Sequence, residues 1–263
     1  MKYFVLFFFP YFLIQCGDTG NLADTEIGNP ERVAIQVVGF DSSNARFKIA
    51  SLSSGVTLTE ARLSINEIEF RPFSACQDSN QKPSDIHFEG PYVVDLLMNK
   101  AIPDFGIAEI PSGVYCKVEF ELKKLDKDEI PSGVSSNDSL IGKSLQVKGT
   151  RLDGVPFDIT LEVKEQFKLV NKGTGFEIRP NEGLKQFFVA FDFAAWFDGV
   201  DLTQADVFQG TILINSDYNQ DLHSILVRNI KTSGRLFEDQ NRNGILDLTE
   251  RSSSSILGEG EDS

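Results

Sequence analysis

The chain is predicted to be all-β: an antiparallel β-sandwich, arranged as two consecutive sandwich domains with a calcium-type loop at the C-terminal end. Three observations predict this. Apolar residues recur every second position in one segment after another, the spacing of half-buried strands. Gly, Pro, Asn and Asp punctuate those segments as turns. No window of a dozen residues carries a clear 3.6-residue period.

The elements follow in order. Val33, Ile35 and Val37 share one face of a first strand. Val114, Cys116, Val118, Phe120 and Leu122 share a face of another. Phe157, Ile159, Leu161 and Val163 alternate with Asp158, Thr160, Glu162 and Lys164. Leu152-Asp153-Gly154-Val155 carries the Asp-Gly signal of a tight hairpin joining strands at 143–151 and 155–164. Phe187, Val189, Phe191 and Phe193 repeat the alternation with larger side chains, and segments 211–215 and 224–230 are further strand candidates. Residues 126–139, charged and then rich in Pro, Gly and Ser, mark the boundary between domains at 32–125 and 140–238. One larger sandwich with a long crossover is the alternative. Residues 251–263, serine-rich and then acidic, are expected to be disordered.

Composition narrows the function. The chain has 263 residues, 41% of them hydrophobic and 24% charged, enough apolar surface for a packed core. Its formal net charge is −14. Such a surface repels polyphosphates and anionic lipid headgroups, so nucleic acid is not the expected partner.

Met1-Lys2 precedes an apolar run over residues 3–14, too short for a transmembrane helix, which needs about 20 residues. A basic start, a short apolar core and a polar break describe a signal peptide over residues 1–15. Leu13-Ile14-Gln15-Cys16 resembles the lipobox of bacterial lipoproteins, departing from it at Gln15, where Gly, Ala or Ser is usual. The resemblance implies that Cys16 becomes an acylated N-terminus. An ordinary signal peptide with a chance cysteine is the alternative. Residues 16–31 then form a polar tether, and the protein faces the periplasm or cell exterior from a lipid anchor. With Cys16 acylated, Cys76 and Cys116 remain as a pair in an oxidising compartment, suited to one disulfide. Cys116 lies on an apolar strand face, so a small buried core residue is the other reading.

The segment Phe88-Glu89-Gly90-Pro91-Tyr92-Val93-Val94-Asp95-Leu96-Leu97, followed by Glu109-Ile110-Pro111-Ser112-Gly113-Val114-Tyr115, resembles a group of uncharacterised bacterial lipoprotein domains. These are similar to transthyretin-like and carbohydrate-binding β-sandwiches. The resemblance implies fold and location, and it brings no catalytic residue.

One motif carries chemistry. Residues 239–250 (DQNRNGILDLTE) match the twelve-residue EF-hand calcium loop. Calcium takes six to eight hard oxygen ligands. Asp239, Asn241 and Asn243 stand at positions 1, 3 and 5, and Gly244 allows the sharp turn. Ile245 offers its backbone carbonyl, Asp247 occupies position 9, and Glu250 closes the site. Residues 224–238 read as strand and turn, so the loop is expected to hang from a strand. The bland reading is an acidic surface turn. Asp217-Tyr218-Asn219-Gln220-Asp221 starts a similar pattern and fails at Leu222, so it reads as a hairpin tip.

Other chemistry is sparse. The two histidines, His87 and His223, have no partner motif, and there is no Gly-x-Ser-x-Gly, His-Glu-x-x-His or Gly-rich phosphate loop. Trp196 and Phe197, just before Asp198-Gly199, are either an aromatic platform for a sugar ring or core residues. The expectation is a calcium-stabilised envelope module that binds a glycan or an envelope protein. A structural subunit of an envelope assembly is the alternative, and an extracytoplasmic hydrolase is the least favoured reading.

Overall fold

The computed structural model describes residues 28–42, 52, 55–77 and 87–261, and all structural statements concern these. The strands are β1 (Pro30–Phe40), β2 (Val56–Pro72), β3 (His87–Asp95), β4 (Lys100–Ile102), β5 (Ile107–Pro111), β6 (Gly113–Leu122), β7 (Leu145–Arg151) and β8 (Pro156–Leu161). They continue with β9 (Glu165–Val170), β10 (Phe176–Ile178), β11 (Lys185–Asp192), β12 (Val207–Phe208), β13 (Thr211–Ile214), β14 (Gly234–Glu238) and β15 (Gly258–Gly260). Three α-helices are α1 (Phe73–Gln77), α2 (Phe193–Trp196) and α3 (Gln220–Ser233).

The fold is β-rich and sandwich-like, built from one large mixed sheet ordered β12-β13-β8-β7-β2-β6-β9-β15-β14-β11-β1-β5. β2 is its pivot. Arg62 and Leu63 pair with both β7 and β3, and Ile68 and Glu69 pair with both β6 and β3. So β7 and β6 follow each other along one edge of β2, parting at Ser64, which donates to Ser144 O and accepts from Lys123 N. The two arms that fan out from there enclose one main core, which takes in Leu63, Phe70, Phe120, Phe157, Phe187, Phe191 and Trp196.

This topology corrects the two-domain expectation. β2 and β6 from the first half pair with β7 and β9 from the second, and β1 pairs with β11. The arrangement matches the alternative of one larger unit. Residues 126–139 are accordingly a largely exposed crossover within one unit, pinned at its ends: the flanking Leu125 and Leu140 are buried with Val93, and Asp138 meets Arg62 at 2.8 Å.

Two pairings are parallel, β1 with β11 and β13 with β8, against the expectation of an antiparallel sheet. For β1 and β11 the reason lies in side chains on both faces. Val33, Ile35 and Val37 of β1 point into the main core, while Val38 and Phe40 join a second cluster with Phe188, Ala190, Phe237 and Leu246. Strands apolar on both faces suit the covered interior of a sheet, where parallel pairs are found.

Residues 224–230, expected as a strand, lie in α3. Its buried Leu226 and Ile230 are four residues apart, one helical turn. The hairpin tip expected at 217–221 is the entry to this helix: Asn219 has a left-handed φ of 50°, and its side chain bonds Asp206 and Leu213. The C-terminal segment is also ordered through residue 261. β15 threads between β9 and β14, and a Cβ on Gly258 would sit 2.8 Å from Leu169 O. Glycine lets the backbones approach, which a reading by composition alone misses.

A buried charge group lies on β2 and β6. Arg71 Nε is 2.6 Å from Glu119 Oε2, and Lys117 Nζ is 2.8 Å from Glu119 Oε1. Burial pushes the Glu119 carboxyl up, but hydrogen bonds from Lys117 and Arg71 outweigh it and hold the group below its ordinary value. A depressed folded-state pKa gives stability that is present above the unfolded value and is lost as pH falls through the folded one. We expect the urea midpoint to hold above about pH 5 and to fall through the acid carboxylate range. Glu119→Gln should lower the midpoint at neutral pH and flatten that acid limb. An unchanged acid limb in the variant would assign the loss to other carboxylates.

Candidate calcium loop and binding cleft

β14 delivers the loop. Asp239, the next residue, donates its N–H to Gln186 O at 2.9 Å and so continues the pairing of β14 with β11. The chain then turns around the Asp239 carboxylate, which accepts from Asn243 N at 3.1 Å and Gly244 N at 2.7 Å. Asn241 Oδ1 accepts from Asn243 N at 3.0 Å, and Asn243 Oδ1 from Ile245 N at 2.7 Å. Gly244 has φ +72° with open space around it, the conformation its position requires. At the far end the Glu250 carboxylate reaches back. Its Oε1 accepts from Gln240 N at 2.9 Å and its Oε2 from Asp247 N at 3.2 Å. Asp239 and Glu250 are both buried, at 4% and 3% exposure.

The residues present suit a hard cation: two buried carboxylates at the ends of one tight turn, with amide oxygens between. Asp247 is engaged differently. Its Oδ1 accepts from Thr249 Oγ1 and the Glu250 N–H, and its Oδ2 accepts from Asn241 Nδ2. Those bonds, the Thr249 hydroxyl first, hold its carboxyl below the ordinary aspartate value. Among the described residues, no three acidic, His or Cys side chains converge as a metal cluster. A metal held here would draw on the Asn oxygens and the Ile245 carbonyl as well.

The loop also covers the sheet. Leu246, 4% exposed, packs on Val38, Phe40, Phe188, Ala190 and Phe237. Arg251, next after Glu250, lies over the Phe40 ring at 5.7 Å.

The other sequence-predicted residues are dispersed. Cys16 lies outside the described residues. Cys76 and Cys116 are joined as a disulfide that ties α1 to β6. Trp196 and Phe197 form no platform, because they are 1% and 4% exposed. Trp196 Nε1 donates to Ser233 Oγ at 2.7 Å inside the core. His223 lies on α3, where burial lowers its pKa. Among the described residues, no helix is long and apolar enough to cross a membrane.

A cleft that the sequence did not announce lies beside β1. Its volume is about 720 Å³, and its walls include Ala34, Gln36, Gln186, Lys100, Asp104 and Phe105. A smaller lobe of about 250 Å³ adjoins it through Gln36 and Asn99 and ends against Met98 and against Gly244 and Ile245 of the 239–250 loop. Gln36 Nε2 donates to Asn99 O at 3.3 Å, and Gln186 Nε2 to Gln36 Oε1 at 3.4 Å. The sequence signal was slight: one glutamine breaking an apolar strand.

Fold and site together define a β-rich, sandwich-like protein with a tight loop over residues 239–250 covering one sheet face beside an amide-lined cleft. No protein-family model matches the chain, and no curated protein matches it. Among solved structures it is similar to MbnP from Methylosinus trichosporium, with a TM-score of 0.45 and 11% identity over 76% of this chain and 88% of that one. A likeness so distant transfers no residue and no activity.

Proposed function

We propose that the chain is an exported envelope protein, anchored through acylated Cys16, that acts as a non-enzymatic binding module for a glycan or another envelope protein. One calcium ion stabilises its C-terminal loop. The observation that carries the calcium reading is the closure of residues 239–250 around two buried carboxylates, Asp239 and Glu250. Side-chain oxygens of Asp239, Asn241, Asn243, Asp247 and Glu250, with the Ile245 carbonyl, would hold the ion. It would supply charge neutralisation there and no chemistry. A binding role is favoured over a purely structural subunit by the cleft, whose volume falls in the range of roughly 300–1,000 Å³ typical of ligand sites.

The test is thermal and urea unfolding of the full-length chain with excess calcium and with chelator. A ligand at about a hundred times its dissociation constant stabilises by about 2.7 kcal/mol, and a gain of that order is expected. Glu250→Gln should abolish the gain. It should also lower stability in chelator, because the carboxylate itself holds the Gln240, Asn241 and Asp247 N–H groups. Equal stability in calcium and chelator would make the loop a turn closed by its own hydrogen bonds.

A further inference from the structure

Asn243-Gly244 is the one Asn-Gly step in the sequence. The backbone nitrogen of the residue after an asparagine can attack the side-chain amide, closing a five-membered ring. Glycine in that second place hinders the attack least, because it has no Cβ and bends freely. At Gly244 the surroundings are open as well: a Cβ built there would meet nothing within 4 Å.

The loop also sets polar groups around the reacting atoms. The nucleophile is Gly244 N, whose N–H already donates to Asp239 Oδ2 at 2.7 Å, within reach of a general base. The electrophile is Asn243 Cγ. Its Oδ1 accepts the Ile245 N–H at 2.7 Å, the place where negative charge builds as the carbonyl becomes tetrahedral. Asn243 is exposed, so ammonia can leave to solvent. Asn241, two residues earlier, lacks this set. Its Oδ1 accepts from Asn243 N at 3.0 Å, but its Nδ2 is held by Asp247 Oδ2 at 2.7 Å, and Arg242 after it carries a side chain.

We propose that Asn243 is a self-modification site, which the loop deamidates by cyclising it onto Gly244 N. Gly244 N bonds to Asn243 Cγ while the Asp239 carboxylate takes the N–H proton. The Cγ–Nδ2 bond then breaks, the proton passes to Nδ2, and ammonia leaves a succinimide. Holding nucleophile and amide in neighbouring positions of one turn makes the step intramolecular. Water opens the ring. Attack at Cγ leaves aspartate at 243, and attack at the backbone carbonyl leaves isoaspartate, with the chain running through Cγ. The balance is an amide and water becoming a carboxylate and ammonium. Aspartate adds a further carboxylate beside Asp239, Asp247 and Glu250, whereas isoaspartate lengthens the backbone at the sharp turn. The proposal goes beyond the binding-module reading and does not depend on it.

The experiment incubates the full-length chain at neutral pH in chelator, folded or in concentrated urea, and follows residue 243 by peptide mass spectrometry. Asn241 of the same chain serves as the slow reference. Conversion at Asn243 should be at least about tenfold faster folded than in urea, because only the folded loop positions the base and the N–H donor. Hydroxylamine added to the folded chain should trap the ring by cutting between residues 243 and 244. Asp239→Asn keeps an acceptor oxygen but loses the base, and should slow conversion about a hundredfold, the lower end of what a positioned base contributes. Circular dichroism checks that this variant is folded, and the comparison of folded with urea-treated native chain decides alone if it is not. Conversion no faster in the folded chain than in urea overturns the proposal and makes the loop's hydrogen bonds protective. A folded Asp239→Asn chain that converts as fast as the native one overturns it too.

Discussion

Trp196→Ala is expected to destabilise the protein by about 3–5 kcal/mol, the range for removing a large buried aromatic side chain. The side chain is 1% exposed, and its ring lies edge-on to Phe193 and Phe191, with centroids 4.7 and 6.0 Å away. It also joins two elements distant in sequence. Its indole N–H donates to Ser233 Oγ at the end of α3, and the Asn229 side chain returns a bond to Trp196 O at 3.1 Å. Trp196→Phe should cost much less, about 1 kcal/mol for the lost hydrogen bond with part of the packing kept. Ser233 Oγ keeps its own bond to Ile230 O at 2.8 Å, so no hydroxyl is stranded. Urea unfolding followed by circular dichroism measures both. Alanine and phenylalanine variants of equal stability would assign the effect to the hydrogen bond and not the ring.

Breaking the Cys76–Cys116 disulfide is expected to cost about 4 kcal/mol in the chain-entropy model. The bond closes a loop with a sequence separation of 40, and the unfolded chain regains that freedom when it is cut. Two readings of Cys116 separate here. As a cross-link it should lose the same stability on reduction, in Cys76→Ala and in Cys116→Ala. As a packed core residue, 5% exposed, it should lose more in Cys116→Ala than in Cys76→Ala. Denaturant midpoints with and without reductant decide between them, and the cross-link outcome is expected.

Much of the strand set was readable in the chain. Asp153-Gly154 lies between β7 and β8, which pair antiparallel from Leu145 with Leu161 to Thr150 with Pro156. The alternation of Val114 to Leu122 became β6, whose Val118, Phe120 and Leu122 are buried. The segment at 224–230 was misread because its Ile and Val residues favour strands, while the decisive spacing, Leu226 to Ile230, marks only one turn. The aromatic pair at 196–197 was ambiguous for another reason. A Trp beside an Asp-Gly turn is compatible with a loop tip or a core, and the choice depends on whether α3 packs against it.

By itself the sequence determined the β-rich class and the Asp-Gly hairpin, because each is written in local spacing: period two and a turn dipeptide. Tertiary structure decided what those pieces face. Phe187, Phe188, Val189, Ala190 and Phe191 are all buried, so β11 has no outer polar face and pairs parallel with β1. Only the assembled sheet shows Leu246 of the loop covering the second of those faces. The cleft is decided at the same level. It exists because β5 stops at Ala34 while β1 runs on to Phe40, and that mismatch arises between segments about 70 residues apart, where no local pattern records it.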